Sequence, residues 1–260
     1  MAKAVLFKSM EINFRNKTIL ITGAASGAGE KILDVFAKTH ADIAFTYLHS
    51  DPKKIIERYP DLKIKGYHFD QKDVSSIPEL IKKIMNDFSL IDVLVNNAGI
   101  YPASSFQKIT EDDFDEMMDT NNKGIFFLSR EVSKYMKQGS IINISSINAT
   151  NPSSKLIHYG ISKAAVEMQT KCLAYELGPE IRVNCIAPGL IYKEGQEKFI
   201  PGWRESYNER AALKRTVLPE EIGKACLFFA SDLSSAITGQ ILTVDCGVSL
   251  APYYYNELDD

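Results

Sequence analysis

The chain has 260 residues, 45% hydrophobic and 24% charged, with a net charge of −3 and a pI near 5.9. That is globular composition, long enough for a large core, without the basic excess that nucleic acid or an anionic membrane surface would call for. There is no run of about 18 apolar residues and no secretory leader pattern, so a soluble cytoplasmic protein is expected. The four cysteines (Cys172, Cys185, Cys226, Cys246) lack CxxC spacing and lie in apolar stretches, which predicts buried, reduced thiols. The four histidines are scattered and form no HExxH pair, so no metal site is expected.

In chain order, Thr18 to Thr22 is a short β-branched apolar run, predicted as a buried strand. It leads into Gly23-Ala24-Ala25-Ser26-Gly27-Ala28-Gly29, and Ile32, Leu33, Val35 and Phe36 then predict an amphipathic helix ending near His40. Asp42 to Tyr47 reads as a second strand, Pro52 to Tyr59 as a short helix and Leu62 to Phe69 as a third strand. Ile77, Leu80, Ile81 and Ile84 predict a helix over Ser75 to Phe88, followed by a strand from Ile91 to Val95 that closes on Asn96-Asn97-Ala98-Gly99. Thr110 to Met136 reads as one long helical region, with Thr110 as the N-cap of a capping box. A fifth strand is expected from Ser140 to Ile144, and a helix from Leu156 to Leu177, stopped by Gly178-Pro179. Ile181 to Ile186 is the sixth strand, broken by Pro188-Gly189. Leu190 to Thr216 is polar and irregular; a helix follows from Pro219 to Ala230, a last strand from Gln240 to Val244, and a tail over Pro252 to Asp260.

Strand and helix alternate throughout, with no linker and no repeat. This predicts a single α/β domain over residues 1–260: a Rossmann-type, doubly wound parallel sheet of about seven strands with helices on both faces.

Two stretches carry chemistry. Gly23, Gly27 and Gly29 sit between a predicted strand and a predicted helix, where glycines permit a tight turn and close approach to a pyrophosphate at the helix N-terminus. The GxxxGxG spacing is one residue longer than the usual dinucleotide fingerprint, and a plain strand-to-helix connection also accounts for it. Tyr159 and Lys163 are four residues apart, on one face of a helix and about 6 Å apart along its axis. An ammonium so placed would lower a phenol from its ordinary pKa of about 10 and suit it to proton transfer. Taken alone, the pair is equally a surface tyrosine and lysine at helical spacing.

Thr22 to Gly29, Asn96-Asn97-Ala98-Gly99, Asn121 three before Gly124, Ser146 thirteen residues before Tyr159, Tyr159-x-x-x-Lys163, Pro188-Gly189, and Thr238-Gly239-Gln240 leading to Val244-Asp245 occur in order along the chain. Together they resemble the short-chain dehydrogenase/reductase family in its classical branch, over roughly Lys17 to Val248. The resemblance implies a catalytic tetrad of Asn121, Ser146, Tyr159 and Lys163. Tyr159 would be the general acid or base, and Lys163 would lower its pKa and hold the nicotinamide ribose. Ser146 would hydrogen-bond the substrate oxygen, and Asn121 would hold a water that relays protons through Lys163.

Cofactor contacts are implied at Gly23, Ser26, Gly27, Ala28 and Gly29 for the pyrophosphate, at Asp70 and the Gln71 backbone for adenine, and at Asn97, Ala98 and Gly99 for the adenosine ribose. Pro188 and Gly189 would lie near the nicotinamide. The family's threonine contact to the carboxamide is replaced by Leu190-Ile191-Tyr192-Lys193, so it would be lost or supplied by backbone at Ile191, with Lys193 in the usual threonine place. Asp245-Cys246-Gly247 is a mild departure from the family's Asp-Gly-Gly.

Tyr47 stands where an NAD-preferring member places a carboxylate, so NADP(H) is favoured over NAD(H), with His49 and Ser50 near the 2′-phosphate. Residues 190–216 match the family's substrate lid, where Tyr192, Phe199, Trp203 and Tyr207 either face substrate or pack the lid down. Tyr253-Tyr254-Tyr255 would dock on a neighbouring subunit of a homotetramer. The implied activity interconverts a ketone and a secondary alcohol, 3-oxoacyl-thioester reduction being the nearest kind. A sugar or polyol dehydrogenase and a dinucleotide-sensing regulator are the alternatives. The narrow Tyr-to-Lys interval argues against an enoyl reductase.

Overall fold

β-Branched and aliphatic side chains on β1 (Thr18–Ile21) leave neither face for water: Ile19, Leu20 and Ile21 are all fully buried. Successive strand residues point to opposite faces, so Ile19 and Ile21 enter one core and Leu20 the other. A strand buried on both faces belongs in a parallel sheet covered by helices. The computed structural model, which describes residues 12–193 and 202–250, has that form.

The remaining strands are β2 (Asp42–Tyr47), β3 (Ile64–His68), β4 (Val93–Asn96), β5 (Gly139–Ile144), β6 (Ile181–Pro188) and β7 (Ile241–Val244). All pair in parallel, in the order β3-β2-β1-β4-β5-β6-β7. One core packs α1 (Gly27–Ala37) through Ile32, Leu33 and Phe36, and α8 (Pro219–Ala230) through Ile222 and Phe229. The other packs α3 (Ile77–Phe88), α5 (Gly124–Ser133) and α6 (Ile157–Glu176), with Ile81, Leu128 and Leu173 among its members. Each large side chain fully buried here is worth about 1.5–3 kcal/mol relative to exposure. A short α2 (Lys53–Arg58) covers the β2–β3 crossover. Among the described residues no helix is long and apolar enough to cross a membrane.

Three expectations change. The region read as one helix from Thr110 divides into α4 (Glu111–Met118), a five-residue π-turn (Asp119–Lys123) and α5. Its start is as expected, with Thr110 Oγ1 accepting the Asp113 N–H and Asp113 accepting that of Thr110. The π-turn follows from tertiary bonds of the Asn121 side chain, which no helical period records. The stretch read as irregular contains α7 (Trp203–Arg210). Cys172 is exposed rather than buried: it lies on the outer face of α6, whereas Cys185, Cys226 and Cys246 are buried.

Because β2 lies on one side of β1 and β4 on the other, the winding reverses at β1, and a crevice opens at the carboxyl ends of β1 and β4. The glycine turn, Asn96 to Gly99, Ser146 and Pro188-Gly189 fall at this end of the sheet, whereas Thr238-Gly239-Gln240 precedes β7 at the opposite end.

Candidate active site

The glycine turn leaves no room for a Cβ at Gly29, while a Cβ on Gly27 would meet nothing within 4 Å. A Cβ on Gly29 would run into the Gly23 carbonyl and come within 2.9 Å of Ala24 Cα, so the first turn of α1 lies directly on the turn after β1. Gly23 has φ +64°, in the left-handed region. Ser26 precedes α1 in extended conformation, exposed, and its hydroxyl makes no capping bond. That leaves the amides of the first turn and the Ser26 hydroxyl facing outward, which fits a pyrophosphate.

Asn97 ties this turn to the end of β4. Thr22 Oγ1 accepts the N–H groups of Asn97 (3.0 Å) and Ala98 (2.9 Å), and Asn97 Nδ2 donates to the Thr22 carbonyl at 2.9 Å. The buried Gln71 donates through Nε2 to the Ala98 carbonyl (3.1 Å) and to Thr120 O (2.8 Å), joining the π-turn to the same segment. Asp70, half-buried after β3, accepts the N–H of Lys72. Tyr47 ends β2, edge-on to His68, with His49 exposed and Ser50 half-buried beyond it.

At the end of β5 the tetrad converges. Ser146 lies beside Tyr159, whose pKa it acts to lower, and its Oγ accepts the Asn148 N–H at 3.1 Å. One helical turn on, Lys163 is buried, with Nζ 5.7 Å from the Tyr159 ring centre. Its amine donates to the Ile144 carbonyl at 2.8 Å. Gly99 brings the β4 loop to the same point: a Cβ there would lie 3.0 Å from Asn121 Oδ1 and 3.5 Å from Lys163 Nζ.

The electrostatics differ from the expected lowering of Tyr159 by Lys163. Burial is the largest influence on Tyr159 and raises its pKa, the neighbouring Ser146 opposing it. Burial also lowers Lys163 to about 8. With its amine turned to Ile144 O, the lysine does not set the acidity of the phenol in this state. The buried Asn121 amide is engaged by Ile100, accepting that residue's N–H and donating to its carbonyl, each at 2.8 Å.

A cradle for a dinucleotide, and a serine beside a tyrosine with a buried lysine one turn on, share the end of one sheet. The family described as enoyl-(acyl carrier protein) reductase matches residues 23–249. The 3-oxoacyl-(acyl-carrier-protein) reductase FabG of Thermotoga maritima is 38% identical over 246 residues, which cover 91% of this chain and 99% of that protein.

The chain belongs to the short-chain dehydrogenase/reductase family.

It is an oxidoreductase of that family, acting on alcohol or carbonyl groups. Its relatives within the family differ in substrate. A 3alpha-hydroxysteroid dehydrogenase of Mediterraneibacter gnavus is 33% identical over 245 residues, covering 91% of this chain and 98% of that one. The crystal structure of a gluconate 5-dehydrogenase from Burkholderia cenocepacia J2315, in complex with NADP and tartrate, superposes with a TM-score of 0.86 at 26% identity, covering 93% of this chain and 98% of that one.

Around this site the remaining predicted residues take definite places. Pro188 is the last residue of β6, and the Gly189 N–H donates to Val244 O at 2.9 Å. Ile191 forms an isolated bridge with Val217, and Lys193 is exposed. Of the lid aromatics, Tyr207 packs down: it is buried, accepting the Leu190 N–H at 3.2 Å and donating to Asp245 O at 2.7 Å. Tyr192 lies against the Arg204 guanidinium, 4.6 Å from ring centre to carbon, and Trp203 is half-buried. Phe199 and Tyr253 to Tyr255 lie outside the described residues.

Two contributors escaped the sequence reading. Ser145 Oγ bonds to Lys163 O and to Glu167 Oε1, each at 3.1 Å, and fastens the end of β5 to α6. Tyr101 stands edge-on to Tyr159. The only sequence signal for either was adjacency: Ser145 precedes Ser146, and Tyr101 follows Asn96 to Ile100 by one position.

Proposed function

We propose that this protein is an NADP(H)-dependent reductase of 3-oxoacyl thioesters, working through Asn121, Ser146, Tyr159 and Lys163. The observation that carries the reading is the buried Lys163 one helical turn from Tyr159, its Nζ 5.7 Å from that ring centre, with Ser146 beside the same phenol. The names of the Thermotoga maritima relative and of the NADP-bound neighbour support the substrate and the coenzyme.

The nicotinamide coenzyme supplies the hydride. Ser146 donates to the substrate carbonyl oxygen and stabilises the negative charge that develops there. Tyr159, kept protonated by burial, delivers its proton to that oxygen. Lys163 holds the nicotinamide ribose and, when charged, favours the phenolate left behind. Asn121 keeps the Ile100 backbone in place.

For the coenzyme, Tyr47 puts no carboxylate at the end of β2 to repel a 2′-phosphate, and His49 and Ser50 are accessible to receive one. Arg58 in α2 is committed elsewhere, at 2.7 Å from both Glu30 and Asp34. Asp70 and the Gln71 backbone meet the adenine, Asn97 to Gly99 the ribose, and Pro188, Gly189 and Ile191 the nicotinamide. Residues 190–216 form the substrate lid of a single cytoplasmic domain that assembles as a homotetramer.

The test is steady-state reduction of the N-acetylcysteamine thioester of 3-oxobutanoic acid with NADPH and with NADH. NADPH is expected to give the higher kcat/KM, and Tyr159→Phe to lower kcat by about 10²- to 10⁴-fold. A strong NADH preference would overturn the coenzyme assignment, and an active Phe variant the role of Tyr159.

A further inference from the structure

The loop after β4 is anchored on both sides of an exposed aromatic. On one side the fully buried Asn121 grips both backbone groups of Ile100, at 2.8 Å each. On the other, Ser104 N–H donates to Lys155 O at 2.9 Å, in the strap leading to α6. Between them Tyr101 is 59% exposed, yet its ring meets that of Tyr159 edge-on, with centres 6.3 Å apart and planes at 65°. The Tyr101 hydroxyl makes no hydrogen bond to any described residue. The two phenols sense each other electrostatically, since Tyr101 contributes to the rise of the Tyr159 pKa. An aromatic that gains little from its own burial, held at both flanks beside the general acid, is placed to meet whatever Tyr159 protonates.

We propose that Tyr101 is a substrate-contacting residue whose hydroxyl binds a second oxygen of the substrate, so that the enzyme selects 3-oxo thioesters over simple ketones. This rests on the carbonyl-reductase reading above. In a 1,3-dioxygenated substrate the second oxygen lies a few ångström from the carbonyl held by Ser146 and Tyr159, a separation that neighbouring phenols can span. A ketone without that oxygen leaves the Tyr101 hydroxyl to water and loses the contact.

The experiment measures kcat/KM of the wild type and of Tyr101→Phe for two probes, the N-acetylcysteamine thioester of 3-oxobutanoic acid and 2-heptanone. The Phe variant keeps the ring and removes only the hydroxyl. Loss of one neutral hydrogen bond is expected to lower the thioester-to-ketone ratio by about 3- to 10-fold. A ratio that stays the same or rises overturns the proposal, even if both activities fall. If the wild type reduces neither probe, the carbonyl-reductase reading fails separately. Calorimetric binding of the thioester to coenzyme-loaded protein then decides Tyr101: weaker binding to the Phe variant by a similar factor upholds it, and equal binding, or none to either protein, overturns it.

Discussion

Lys163 shows how one residue sets stability against function. Burial depresses its amine from the usual 10.5 to about 8, against a hydrogen bond to Ile144 O at 2.8 Å. Below about pH 8 the folded, coenzyme-free protein therefore carries a buried ammonium, disfavoured by about 3 kcal/mol relative to the unfolded chain. The cost fades as pH rises from about 8 to about 10.5, above which both states are neutral. Lys163→Met should accordingly stabilise the coenzyme-free protein at pH 7 by about 1–3 kcal/mol in urea unfolding, after loss of the Ile144 hydrogen bond. The advantage should shrink at pH 10, and carbonyl reduction should be lost at both. A variant less stable than wild type at pH 7 would show that Lys163 is not held as a disfavoured charge.

At the scale of elements, coenzyme binding depends on how closely α1 approaches β1. The helix lies against the glycine turn at Gly29, with backbone of Gly23 and Ala24 and the Asn97 amide in the way of any side chain. Gly29→Ala must push α1 off the turn, and overpacking of this kind costs about 1–3 kcal/mol. Phosphate-facing amides would move with the helix, so the expected result is a lower urea midpoint and at least about tenfold weaker NADPH binding by fluorescence titration. Wild-type affinity in this variant would separate α1 from the coenzyme site. The π-turn between α4 and α5 is a second such device. It presents Asn121 to Ile100, and Gln71 bonds Thr120 O within the same turn, so three loops at the sheet end share one set of hydrogen bonds.

For the whole molecule, the outer face of α6 is unusually apolar. Ile157, Ile161, Met168 and Tyr175 are all exposed, Tyr175 at 92%, and Phe126 of α5 is exposed as well. A contiguous apolar face of this kind is what an assembly covers. In the proposed homotetramer it lies between subunits, so Ile161→Glu with Met168→Glu should lower the mass found by light scattering at least about twofold, the charged side chains being costly to bury. A wild-type protein that runs as a monomer at micromolar concentration would remove the basis for that assembly.

By itself the sequence determined the doubly wound parallel sheet and the family to which the chain belongs. Those features are local: β-branched runs such as Thr18 to Ile21, a 3.6-residue period in α3, glycines between strand and helix, and the fixed Tyr159–Lys163 interval all lie within short windows. Only the tertiary structure decided what depends on partners distant in sequence. Asn121 clamps Ile100 from twenty-one residues away, and that bond belongs to the π-turn that interrupts the expected single helix. Tyr207 was open between facing substrate and packing until its hydroxyl was found on Asp245 O, thirty-eight residues on. The surroundings of Tyr159 are decided the same way: spacing puts a lysine within reach, while the packing of α6 against β5 buries the phenol and turns the Lys163 amine to Ile144 O.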